Sequence, residues 1–112
     1  MGSRHSLWRT CSGTRRAEAA AWDSLGYIHH RLGHWEQAIA GFRRSADLRH
    51  EVGDRYQEAQ TLTRLGEVNR DGGDPDGARD VWRRALAILT LMRHPDADHV
   101  SALLAPNADL RL

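Results

Sequence analysis

The sequence predicts an all-α fold of tandem antiparallel helix hairpins, two repeats followed by a short closing helix. Three observations carry this expectation. The chain aligns with itself at a shift of 40 residues, each unit has apolar positions at helical spacing, and glycine, aspartate and proline punctuate the intervals. The shift pairs Glu18–Ala19 with Glu58–Ala59, Leu25–Gly26 with Leu65–Gly66, and Gly33 with Gly73. It also pairs Ala38 with Ala78, Phe42 with Trp82, Arg43–Arg44 with Arg83–Arg84, and Leu48 with Ile88. A sustained match of glycines, small residues and aromatics in one register marks a repeat architecture.

The first helix is expected over about 15–31, where Trp22, Leu25, Gly26 and His29 fall at i, i+3, i+4, i+7 on one face. Gly33 then occupies a helix C′ position that calls for φ > 0. The second helix, about 35–51, presents Ala38, Phe42, Ser45 and Leu48. Asp54, with Gln57 three residues on, opens the third helix over about 55–71, which carries Leu62, Leu65, Gly66 and Asn69. Gly73 ends it, and Asp74–Pro75 forms an N-cap and N1 pair for the fourth helix, about 75–92, with Ala78, Trp82, Ala85 and Ile88. His94–Pro95–Asp96 starts a fifth, capping helix through about Leu104, ended by Pro106. Small residues let paired helices approach, and a mid-helix glycine costs about 1 kcal/mol relative to alanine, so Gly26 and Gly66 imply close packing. The domain is therefore expected over 15–105, with repeats at about 19–52 and 59–92. Residues 1–14 are expected as a disordered leader and 106–112 as a C-terminal tail.

Composition narrows the function. The formal net charge is +1, which argues against the concentrated basic face that nucleic acid requires. No apolar run approaches the ~20 residues of a membrane span, and the first fourteen residues contain no signal-peptide h-region. The single cysteine, Cys11, suits a reducing cytoplasm and is read as incidental. All sixteen basic residues are arginine, which removes P-loop and Schiff-base lysine chemistry.

At these residues the chain resembles the tetratricopeptide repeat family, with its W-x2-L-G-x2-Y…A-x3-F…A pattern. Trp22, Leu25 and Gly26 match the opening, with His29 in the tyrosine slot; Ala38 and Phe42 follow, and Ser45 replaces alanine. In the second unit Leu62 and Asn69 stand for the tryptophan and tyrosine, and the pattern returns at Ala78, Trp82 and Ala85. The turn Glu51-Val52-Gly53-Asp54-Arg55 lengthens the period from the usual 34 to 40 residues. That longer variant, with Gly72-Gly73-Asp74-Pro75 and the closing His94-Pro95-Asp96, resembles the C-terminal repeats of bacterial antibiotic-regulatory-protein-type transcriptional regulators. The resemblance implies a TPR-like α-solenoid and a protein-binding regulatory or sensor arm. It brings no DNA-reading or nucleotide-binding part.

The resemblance also implies a concave groove lined by the first helix of each unit. By register this places Ala20, Asp23, Tyr27, His30 and Arg31, then Gln60, Thr63, Glu67, Arg70 and Asp71, towards a protein or peptide partner. Lysine is absent and Asp23 stands where a cation would be needed, so a lysine-based carboxylate clamp is not expected. The arginine pairs 43–44 and 83–84 are read as a solvated convex face.

No metal or cofactor is expected. His30 and His34 have chelating spacing, but Gly33 should end the helix between them. Asp71, Asp74 and Asp76 lack the remaining ligands of a calcium loop. No nucleophile elbow, H-E-x-x-H motif or convergent acid–base pair is present, so no enzyme is expected. The alternative to a binding module is structural self-association. Solenoid repeats bury their faces on neighbours, and the N-terminal side offers only Ala17, Ala19, Ala20 and Ala21 with no polar cap. An uncovered face there, leading to a homodimer or to marginal stability, is the expected consequence.

Overall fold

The computed structural model describes residues 2–105, with side chains described from residue 13 onward. Five helices follow in order: α1 (Gly2–Leu32), α2 (Trp35–Glu51), α3 (Arg55–Asp71), α4 (Pro75–Leu91) and α5 (Asp96–Leu104). No strand occurs among the described residues. Helices α1 and α2 form one antiparallel hairpin and α3 and α4 the next; α3 lies on α2, and α5 lies on α4.

The turns explain the regularity. Residues 33, 53, 73 and 93 all have positive φ, at 78°, 77°, 92° and 54°. In each turn the next residue's amide reaches five residues back: His34 to His29, Asp54 to Arg49, Asp74 to Asn69 and His94 to Leu89. The left-handed residue's own amide reaches three back, completing a Schellman motif at every corner. The starts agree with the capping signals. Asp54 accepts from the Gln57 amide at 3.4 Å, and Asp74 from the Gly77 amide at 2.9 Å, with Pro75 in the first turn.

One boundary differs from the sequence expectation. The structure carries α1 back to Gly2, through the stretch expected as a disordered leader over 1–14. No proline interrupts residues 2–32, and once a helix is nucleated each added residue contributes a further hydrogen bond. The ion pairs Arg15–Glu51 (3.4 Å) and Arg16–Asp54 (3.6 Å) mark where α2 ends beside it. The expected tail, 106–112, lies outside the described residues.

The core joins Phe42, Ala46, Leu62, Leu65, Val68, Ala78, Trp82, Ala85, Leu89 and Val100. Fully burying a side chain of the leucine or phenylalanine size contributes about 1.5–3 kcal/mol, so α3, flanked on both sides, is its centre. Backbones come closest at glycine. A Cβ on Gly41 would sit 3.1 Å from the Trp22 carbonyl, and one on Gly26 3.0 Å from the Phe42 ring. In the second hairpin Gly66 accommodates Trp82, whose indole Nε1 donates to the Thr63 carbonyl at 3.0 Å.

Two expected core residues fall outside it. Leu25 is 44% exposed, although its repeat partner Leu65 is 1% exposed. Trp22 is half-buried and donates to Glu18 at 3.3 Å, whereas Leu62 is fully buried. The reason is position in the stack. Among the described residues, α3 has a hairpin on the side where α1 has none.

Candidate protein-binding groove

The inner surface runs across α1 and α3 and ends against α5. Tyr27, on α1, is 53% exposed, with the Arg31 guanidinium 5.8 Å from its ring centroid. On α3, Glu67 faces the same space. Two clefts of about 370 and 350 Å³ lie side by side here, one at Asp23, Ser24 and Ile28, the other at His30, Phe42 and Glu67. Tyr27 and Arg64 line both. Arg64 also borders a third cleft of about 220 Å³, closed by Asp96 and His99 of α5.

Arg64 was not among the residues that repeat register places in the groove. It follows Thr63 and precedes Glu67 by three, so helical spacing alone puts it on the Glu67 flank. Its central position arises only when α1, α3 and α5 are brought together. The side chain is exposed, and the ion pairs among the described residues leave it without a carboxylate.

Several expected groove residues are committed to the scaffold. Asp23 borders one cleft, but both its oxygens are engaged: Arg49 Nη2 donates at 2.7 Å and Thr61 Oγ1 at 3.3 Å. Thr63 donates its hydroxyl to the Ala59 carbonyl at 2.9 Å. His30 Nε2 donates to Asp71 Oδ2 at 2.8 Å, tying the end of α1 to the end of α3. That hydrogen bond, aided by Arg70 Nε at 3.3 Å, holds the Asp71 carboxyl below the usual carboxylate range against the opposing effect of burial. Arg70 also lies over Trp82, 5.8 Å from its ring centroid.

Neither His29 nor His34 joins His30. His34 turns to His29, with the two Nδ1 atoms 3.2 Å apart, while the His30 ring packs edge-on to Trp35. The groove therefore presents one exposed tyrosine and two guanidiniums, Arg31 and Arg64, that have no carboxylate partner among the described residues, beside the Glu67 carboxylate. Such a surface can stack on an apolar or aromatic side chain and receive an anionic group. Among the described residues no helix is long and apolar enough to cross a membrane.

The sequence model of the tetratricopeptide repeat matches residues 17–90, more than half of the chain. No curated protein and no solved structure matches it.

Proposed function

Since the chain belongs to the tetratricopeptide repeat family, a class of protein-interaction modules, we propose that it binds a protein segment in the α1–α3 groove. The segment carries an acidic side chain for Arg64 and an apolar neighbour for Tyr27. One observation carries this reading: Arg64 borders all three clefts and has no carboxylate partner among the described residues. We further assign the module to the cytoplasm, as a C-terminal regulatory or sensor arm of a bacterial transcriptional regulator, on the strength of its long inter-repeat turns and closing His94-Pro95-Asp96.

The test is retention of partners from a bacterial lysate on the immobilised full chain. Arg64→Glu and Tyr27→Ala should each release a partner that the wild type holds, while Arg79→Glu, on the outer face, should not. Identical partner sets for wild type and both groove variants would refute the groove.

A second reading is favoured by the exposure of Leu25, Ile28 and Leu32 at 44%, 50% and 61%. Leu25 and Leu32 lie outside the groove clefts and Ile28 at the edge of one, and together the three suit self-association.

A further inference from the structure

We propose that α1 forms an antiparallel, two-fold symmetric interface with α1 of a second copy of this chain, through Ala21, Leu25, Ile28 and Leu32. This inference rests on the self-association reading and specifies its surface and geometry.

The four residues fall at i, i+4, i+7 and i+11, a single stripe on the helix side opposite buried Ala19 and Gly26. Their spacing is that of the seam between two packed helices. The repeat itself shows that the stripe is a packing face. Its partners at the 40-residue shift are Thr61, Leu65, Val68 and Gly72, the side of α3 laid on α2. There Thr61 is 2% exposed, Leu65 1% and Val68 0%, and Trp35 of α2 comes within 3.1 Å of where a Gly72 Cβ would be. The α2–α3 interface thus continues in register onto α1, where no helix of the described residues covers it.

Another copy cannot cover it head to tail. The slot on α4 equivalent to the α3-facing side of α2 is filled by α5, with Leu89 at 2% and Val100 at 1% exposure. Beside α5 the outer side of α4 carries the ion pairs Asp76–Arg79 and Asp80–Arg83, with Leu91 as its exposed large apolar side chain. An isologous contact, in which each copy offers the same stripe, is the remaining way for two copies to bury it. Antiparallel packing opposes the helix dipoles and separates the two copies' Arg31 and His30, which a parallel pair would bring together at its C-terminal ends. It sets Leu25 opposite Ile28 of the second copy and Ala21 opposite Leu32, small against large. Tyr27 and Arg31 lie on a flank, so the cleft they share with Glu67 stays open, while the cleft that Ile28 borders adjoins the interface.

Sedimentation equilibrium of the full chain at micromolar concentration is the test. The wild type should sediment at twice 12.6 kDa, and Leu25→Glu combined with Ile28→Glu should sediment as a monomer with unchanged helical circular dichroism. A monomeric wild type would overturn both the self-association reading and this interface. A dimer that survives the double substitution would overturn the interface and leave self-association standing. Orientation, and the case of a variant that fails to fold, are covered by cysteine cross-linking in a Cys11→Ala background. Mixed Leu25→Cys and Ile28→Cys chains should form a mixed disulfide. Cross-linking only between identical variants would exclude the antiparallel arrangement.

Discussion

Arg49 of α2 donates through Nη2 to Asp23 Oδ2 of α1 at 2.7 Å, with only 10% and 16% of the two side chains exposed. Thr61 of α3 holds the other carboxylate oxygen, so one aspartate joins three helices across both repeats. Removing one partner of a buried pair leaves an uncompensated charge and typically costs about 3–5 kcal/mol. Asp23→Ala should therefore destabilise the chain by about 3 kcal/mol, near the lower end because Asp54 still lies 3.9 Å from Arg49. The denaturant midpoint measures this. A loss below about 1 kcal/mol would class the pair with ordinary surface ion pairs.

The helix limits were legible because each corner states its chemistry locally. Gly33, Gly73, Asp54 and Asp74–Pro75 mark ends that the structure places within a residue or two of expectation for α2 to α5. The hairpin contacts were legible too, since Gly26 with Phe42 and Gly66 with Trp82 recur in one register. What was hidden depends on partners distant in sequence. Asp23 looks like a groove residue until Arg49, 26 positions away, is seen to hold it. Leu25 and Leu65 are identical in pattern and differ only in whether a hairpin precedes them in the stack. Arg64 becomes central only through α5, and Gly41 matters only because the Trp22 carbonyl passes 3.1 Å from where its Cβ would be.

Gly66 and Gly26 should respond differently to alanine. An added methyl on Gly66 would overlap the Trp82 indole, whereas on Gly26 it would meet the Phe42 ring at 3.0 Å, a contact relieved by a small shift. Overpacking costs about 1–3 kcal/mol, against about 1 kcal/mol gained in helix propensity. Gly66→Ala should thus be clearly destabilising and shift Trp82 fluorescence, with Gly26→Ala close to neutral. Adding Trp82→Phe, which supplies the smaller ring that faces Gly26 in the first hairpin, should recover part of the loss in a double-mutant cycle. Equal effects of the two alanines would refute the distinction.

Ser45 and Ala85 occupy one repeat position, and both are 0% exposed. Among the described residues the Ser45 hydroxyl finds no hydrogen-bond partner. A buried unsatisfied hydroxyl costs about 1–3 kcal/mol, and alanine is also the better helix former. Ser45→Ala should raise stability by about 1 kcal/mol, read as a higher thermal midpoint. A lower midpoint would show that the hydroxyl is solvated or bonded in solution.

Arg93 takes the left-handed conformation, φ 54°, that glycine takes at the three preceding corners. A side chain in this region costs about 1–2 kcal/mol, partly offset by the greater unfolded-state freedom of glycine. Arg93→Gly should stabilise the α4–α5 corner by roughly 0.5–1 kcal/mol. The effect should appear as slower amide exchange in α5. Unchanged exchange would mean that α5 docking does not depend on this turn.

The His30–Asp71 contact joins the two sides of the groove, and its pH response has a defined sign. The hydrogen bond from His30 lowers the Asp71 pKa from its ordinary 3.8, with Arg70 contributing and burial opposing. A carboxyl whose folded pKa is depressed contributes stability above its unfolded pKa, and that contribution is lost as pH falls through the folded value. The loss therefore lies below pH 3.8. His30→Ala removes the largest cause, so the Asp71 carboxyl should titrate closer to 3.8 by carbon-detected NMR. The variant should start less stable at neutral pH and show a shallower decline on the acid side, because less of this contribution remains to be lost. If the Asp71 titration does not move, His30 is not what holds the carboxylate, and Arg70 must be doing so alone. A groove partner that contacts Asp71 would reveal itself in the same experiment, as a further displacement of that titration when it binds.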